Sequence, residues 1–207
     1  MPTLDVNGQR CTYETEGDGF PLFLVSAPHD TVSRWRPIMP LLGELCKAIT
    51  YEYESPVGST QPLERLRSDR LAHDFVTLLD TFAVERAYLA ATAPASAMVA
   101  CLAQQAARRL EGVILIGKTE DEAKPPGPLW QTLAVPILLV VGAQAPDHCQ
   151  WAEQQVTRLP HGRHGVVPEA GRMPLSEQPQ RLGHLMMQFL LYCERQRNLV
   201  RGASFLL

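Results

Sequence analysis

The sequence lacks closely spaced cysteines, a large charge imbalance and any long hydrophobic run, and each absence excludes a class of protein. Its 5 cysteines lie far apart without a Cys-x-x-Cys spacing, which argues against a zinc site or a redox pair and favours buried, reduced thiols. The formal net charge is only -3, so no basic surface for nucleic acid is expected. No apolar stretch reaches the length of a membrane span, and the first residues show no export signal. We therefore expect a cytoplasmic protein with no nucleic-acid or membrane partner.

The chain has enough apolar material for one domain. Of its 207 residues, 45% are hydrophobic and 20% are charged, and chains of this length usually fold around one sizeable core. We expect a single domain over residues 1–193, followed by a C-terminal tail over residues 194–207. The tail begins with basic residues and ends in Phe-Leu-Leu, so it is either disordered or docks on a partner or over an open crevice.

Apolar runs predict a mostly parallel sheet covered by helices. An Asn7-Gly8 turn between two short strand-like segments predicts an edge hairpin over Thr3 to Thr15. Apolar runs typical of strands buried on both faces follow at 21–25, 88–91, 112–116 and 135–142, and a further strand is expected at 48–53. Helical periodicity marks residues 63–82, where Asp74 is expected to face outward, and residues 180–192. The alternation predicts a three-layer, doubly wound α/β fold.

The segment around Ala93 resembles a motif of a known family. Tyr88 to Ala91 is a short apolar run, small residues follow, and Pro94 suits the first position of an alanine-rich helix. In the α/β-hydrolases this strand, turn and helix carry the nucleophile elbow Gly-x-Ser-x-Gly. Here the corresponding residues read Ala91-Thr92-Ala93-Pro94-Ala95. The resemblance therefore places Ala93 where the family has its catalytic serine.

Three further positions are similar to the family pattern and depart from it in the same way. Pro168-Glu169-Ala170-Gly171-Arg172-Met173-Pro174 resembles the segment of the catalytic histidine, with Arg172 in its place. Gly142-Ala143-Gln144-Ala145 resembles the segment of the catalytic acid, with Ala145 in its place. Ser26-Ala27 stands where the family has a His-Gly loop that helps to form the oxyanion hole. Only residues 117–134 separate two predicted strands where many members insert a cap, so we expect a fold without a cap domain.

The function that this resemblance implies is binding without catalysis. We expect a catalytically inactive hydrolase homologue that needs no cofactor and binds a protein partner, a second copy of itself or a small ligand in the vestigial pocket. Arg172 is either an ordinary rim residue or, with the helix that begins near Pro94, a positive corner for an anionic ligand. Ligand-binding candidates are the residues around the four altered positions: Ser26, Ala27, His29, Thr92, Pro94 and Arg172.

Two alternatives remain open. A displaced catalytic site of esterase or thioesterase type could be assembled from residues near the altered positions, namely His29, Thr92, Ser96, Asp147, His148 and Cys149. His161 and His164 have a spacing that invites a metal site, but Pro160, Gly162 and Gly165 around them are more typical of a solvated loop before the last strand. We therefore expect no metal.

Overall fold

A single sheet organises the chain, which is described here from a computed structural model over residues 1–25, 32–53, 68–92, 96–118 and 133–203. The strands are β1 (Thr3–Val6), β2 (Gln9–Glu16), β3 (Phe20–Val25), β4 (Cys46–Tyr53), β5 (Ala87–Thr92), β6 (Leu110–Ile116), β7 (Ile137–Gly142) and β8 (Gly162–Val167). Their order in the sheet is β1-β2-β4-β3-β5-β6-β7-β8. Strand β2 pairs antiparallel with β1 and β4, and the pairs from β4 to β8 are parallel. The predicted mostly parallel sheet is confirmed.

Helices cover both faces of this sheet and make it the middle of three layers. They are α1 (Met39–Gly43), α2 (Ser68–Thr81), α3 (Ser96–Gln105), α4 (Pro146–Val156), α5 (Pro174–Glu177) and α6 (Pro179–Ala203). Alternate strand residues point to opposite faces. On β5, Leu89 packs in the core under α2, α3 and α4, whereas Ala90 packs in the core under α1, α5 and α6. The three-layer prediction is therefore confirmed.

The connection from β6 to β7 bears on the predicted absence of a cap domain. The chain from β6 to β7 spans only residues 117–136, which is too short for a cap domain, and residues 119–132 of it lie outside the described part.

None of the helices that the structure describes is both long and apolar enough to cross a membrane.

The edge hairpin is confirmed, but its contact with α2 corrects one prediction. Asn7 and Gly8 adopt φ values of 51 and 79, as a two-residue hairpin turn requires. The Asn7 Nδ2 group donates a hydrogen bond of 2.6 Å to Oδ1 of Asp74. Asp74 is only 1% exposed and does not face outward as helical periodicity predicted. The hairpin turn covers this face of α2 and supplies a donor that makes burial of the carboxylate tolerable.

The last helix is longer than predicted. It continues past Tyr192 to Ala203, so residues 194–203 of the expected tail are helical. Polar contacts between this part of the helix and the sheet explain the extension. The Tyr88 hydroxyl donates to Glu194 Oε1 at 2.7 Å, and Arg197 contacts both Glu194 and Glu111. These polar contacts hold the helix to the sheet after its apolar stripe has ended.

Candidate functional site

Polar and charged residues gather where the parallel strands end. Lys118 follows β6, Asp147 and His148 lie in the first turn of α4 after β7, and Arg172 follows β8. We call these four residues the carboxyl-end cluster. Ligands of open α/β sheets bind at this edge of the sheet. The position of the cluster therefore makes it the candidate site.

The loops after β7 and β8 are joined by their backbones. Ala143 N–H donates to Val167 at 3.0 Å, and Gln144 N–H donates to Ala170 at 2.8 Å. A Cβ at Gly142 would lie 2.0 Å from the Gly171 carbonyl oxygen, so only glycine permits this approach. The close contact brings residue 172 beside the start of α4.

Ala145 is the residue that the resemblance places where the family has its catalytic acid. It is the N-cap residue of α4, its side chain makes no capping hydrogen bond, and it is 3% exposed. A buried methyl group can neither orient a base nor carry charge. The first ionisable side chain of α4 is instead Asp147, at the beginning of the helix.

Arg172 bridges the two polar residues of that first turn. Its Nη2 donates to Asp147 Oδ2 at 3.0 Å, and its Nη1 lies 3.2 Å from His148 Nε2. Because a guanidinium can only donate, Nε2 of His148 accepts, and we assign the ring as the neutral tautomer with its proton on Nδ1. His148 is 2% exposed, whereas the side chains of Arg172 and Asp147 are 55% and 49% exposed. The arginine is thus held against α4 from the solvent side.

The charges around Asp147 favour its ionised form. Loss of hydrating water is the largest single influence and acts to raise the pKa of this carboxyl group. The Arg172 guanidinium, His148, a backbone hydrogen bond and Lys118 together outweigh it, so the pKa is lowered. Lys118 makes the smallest of these contributions. At neutral pH the carboxylate of Asp147 is therefore accompanied by two cationic side chains, Arg172 and Lys118.

Glu177 of α5 clamps the backbone on both sides of Arg172. Its Oε1 accepts from the Met173 N–H at 3.0 Å, and its Oε2 accepts from the Gly171 N–H. Sequence reasoning did not identify Glu177. The sequence carried no clear signal for it, since Glu177 is the fourth residue of α5 and Met173 stands where a capping box has serine or threonine.

Thr92 ends β5 on the sheet face that also carries Tyr88 and Ala90. It is 8% exposed, and its Oγ1 is buried with no hydrogen-bond partner in the part of the chain that the structure describes. Buried hydroxyl groups are normally satisfied, so an isolated one calls for an explanation. An acceptor atom of a bound ligand would supply it.

The structure brings together only part of the predicted site. Asp147, His148 and Arg172 meet, and Cys149 Sγ lies 3.4 Å from the Gly142 carbonyl oxygen. Five further candidates fall outside the described residues: Ser26, Ala27, His29, Ala93 and Pro94. Ser96 begins α3.

Of the two histidines predicted to lie in a solvated loop before the last strand, only His161 does so. His164 belongs to β8, while His161 lies in the turn before it. Within the described ranges, no group of three or more potential ligands is arranged to hold a metal ion.

Comparison with known proteins is informative only at the level of structure. No protein-family model matches the sequence, and no curated protein matches it significantly. A predicted CIB-like hydrolase from Thermoplasma acidophilum is similar with a TM-score of 0.76 and 15% identity, over 91% of this chain and 96% of the other. A thermophilic esterase from Thermogutta terrifontis gives a TM-score of 0.76 and 16% identity over 92% and 97%. An enol-lactonase from Burkholderia xenovorans gives 0.73 and 16% over 92% and 100%. Together with the sheet order, these similarities show that the chain has the α/β-hydrolase fold.

Proposed function

We propose that this protein acts by binding a ligand at the carboxyl-end cluster and does not catalyse acyl transfer. The observation that carries the proposal is the arrangement of Arg172. At the position that resembles the catalytic histidine of the family, a guanidinium bonds Asp147 and His148, while Ala145 occupies the acid position. Binding groups are present where catalytic groups would be needed.

The chemistry of acyl transfer supports this proposal. The reaction requires a nucleophile, a base that takes its proton and an acid that orients the base. Arginine stays protonated at neutral pH because its pKa lies above ~12, so Arg172 cannot act as the base. An alanine at position 93 has no hydroxyl to activate, and the methyl group of Ala145 cannot orient a base.

The alternative is a hydrolase with displaced catalytic groups. It is favoured by the contact between Asp147 and His148, whose Oδ2 and Nε2 atoms are 3.8 Å apart, and by the hydrolase names of the similar structures. Against it, Nε2 of His148 already accepts from Arg172, and the ring is almost fully buried. An imidazole in this position is poorly placed to take a proton from a nucleophile.

The ligand class that suits the cluster is a small anion. Arg172 and Lys118 provide positive charge at the exposed edge, and hydrogen bonds from arginine to carboxylate or phosphate are strong and geometrically specific. Thr92 adds a buried hydroxyl that has no partner within the described ranges. A protein partner or second subunit covering the crevice remains a prediction, and an acidic side chain from it would satisfy the same groups.

Calorimetric titration of the protein with phosphate and with acetate tests the proposal. Loss of a charge-assisted arginine contact typically costs about 1.5–3 kcal/mol, so Arg172→Ala should weaken binding roughly ten- to hundredfold. Arg158→Ala removes the same charge from an exposed residue just beyond α4 and is the matched control. Equal affinities for the native protein and both variants would contradict an anion site at Arg172.

A further inference from the structure

The Asp147 carboxylate contacts the Arg172 guanidinium in the way that an anionic ligand would. Its Oδ2 accepts from Nη2 of the guanidinium at 3.0 Å, which is the geometry of a bound carboxylate. Because both side chains are about half exposed, their attraction is screened by water and contributes little to stability. A contact of this kind can be exchanged for another anion without disturbing the core.

The rest of the cluster holds the guanidinium independently of Asp147. The Nη1 group of Arg172 donates to the buried His148, and Glu177 fixes the backbone on both sides of the arginine. An incoming anion therefore has to replace one oxygen atom at Nη2 and does not have to position the arginine. The Arg172 guanidinium is thus held in position before a ligand binds, and the Asp147 carboxylate lies where the ligand would bind.

Two further groups lie at the carboxyl ends of the strands, where an external anion would bind. The charge of Lys118 reaches Asp147 and would attract a second negative charge. The buried Oγ1 of Thr92 has no hydrogen-bond partner among the described residues, so the Asp147 carboxylate does not satisfy it.

We propose that Asp147 is a built-in competitor that occupies Arg172 until an anionic ligand displaces it. This inference rests on the proposed anion-binding function and assigns its regulation to one residue. The observed affinity for a ligand depends on the difference between the free energy of its contact with Arg172 and that of the Asp147 contact. When a ligand binds, the exposed Asp147 side chain moves away from Arg172. The site thereby discriminates against weakly binding anions.

The test is calorimetric titration of Asp147→Asn with phosphate and with acetate. Removing the competing carboxylate should tighten binding roughly three- to tenfold, since an exposed ion pair competes only modestly. Glu153→Gln removes one negative charge from an exposed position of the same helix and should change affinity less than about twofold, because separated surface charges are screened by salt. Asp147→Ala should behave like Asp147→Asn, which guards against an effect of the new amide.

A double variant separates this inference from the function on which it rests. In an Arg172→Ala background, Asp147→Asn should no longer tighten binding. If Arg172→Ala weakens binding but Asp147→Asn does no more than Glu153→Gln, the competitor is refuted and the anion site stands. If Arg172→Ala changes nothing, or neither the native protein nor Asp147→Asn binds either anion, both are refuted. Binding by Asp147→Asn where the native protein shows none supports the competitor.

Discussion

Arg172 shows how far single residues could be read from the sequence. Its place in the chain followed from the resemblance of residues 168–174 to a family segment. Its partners could not be foreseen, because Asp147 lies 25 positions earlier and only the close approach at Gly142 brings the two loops together. A motif identifies a residue by its position along the chain, whereas contacts between loops depend on how the strands are arranged in the sheet.

Glu177 offers a test at the same scale. Glu177→Ala removes the acceptor for the N–H groups of Gly171 and Met173. Hydrogen bonds to a charged group are typically worth about 1.5–3 kcal/mol, and solvent access reduces this, so we expect the free energy of unfolding to fall by about 1–2 kcal/mol. Amide exchange at residues 171 and 173 should accelerate. Urea denaturation and exchange-monitored NMR measure the two effects.

Glu153→Gln is the control for this prediction, since Glu153 is exposed on α4. It should leave both the unfolding free energy and the exchange of residues 171 and 173 unchanged. Equal effects of the two substitutions would show that Glu177 does not clamp the loop that carries Arg172.

Secondary-structure elements were predicted more reliably than their ends and faces. Apolar runs located β3, β5, β6 and β7 because burial on both faces requires continuous hydrophobicity. They did not locate the edge strand β8, in which Arg163 and His164 are exposed. Periodicity predicted that Asp74 on α2 faces solvent, and this was wrong. The pattern of apolar residues along a helix does not show that the hairpin turn at Asn7 packs on that face. The stripe on α6 ended at Tyr192, but the helix continues because Glu194 and Arg197 find polar partners below it.

The end of α6 can be tested by truncation. A chain ending at Cys193 loses Glu194 and Arg197 and leaves Glu111 and the Tyr88 hydroxyl without these partners. Breaking a buried ion pair costs about 3–5 kcal/mol, and partial exposure lowers our expectation to about 2–3 kcal/mol. Thermal and urea unfolding measure the loss. A chain ending at Ala203 is the control, and equal stability of the two truncated chains would contradict a role for the extension.

At the scale of the whole molecule, buried ionisable groups predict a loss of stability in alkali. Burial raises the pKa of the Cys46 and Cys193 thiols from 9.0 to about 12 and also raises the pKa of Tyr51 and Tyr88. The folded state therefore favours their neutral forms. This stabilisation is complete below the pKa of the unfolded chain and is lost as pH rises from roughly 9 toward 12.

Urea denaturation between pH 7 and pH 11 measures this dependence. Each such group removes about 1.4 kcal/mol per pH unit above its unfolded pKa, so the unfolding free energy should fall steeply above pH ~9. Cys46→Ala should make the decline shallower, because it removes one titrating group. A free energy that stays constant up to pH 11 would contradict burial of these groups.

The proposal that the molecule binds and does not hydrolyse is tested most directly by one assay. The native protein is incubated with a panel of short acyl esters, and a fluorophosphonate probe reports any activated serine. We predict turnover no higher than the buffer blank and no labelling. Ala93→Ser alone should produce neither, because Arg172 and Ala145, which we propose to stand at the base and acid positions, cannot perform those roles. Turnover above the blank that is lost on substitution of His148 or His29 would contradict the account and establish a hydrolase with displaced catalytic groups.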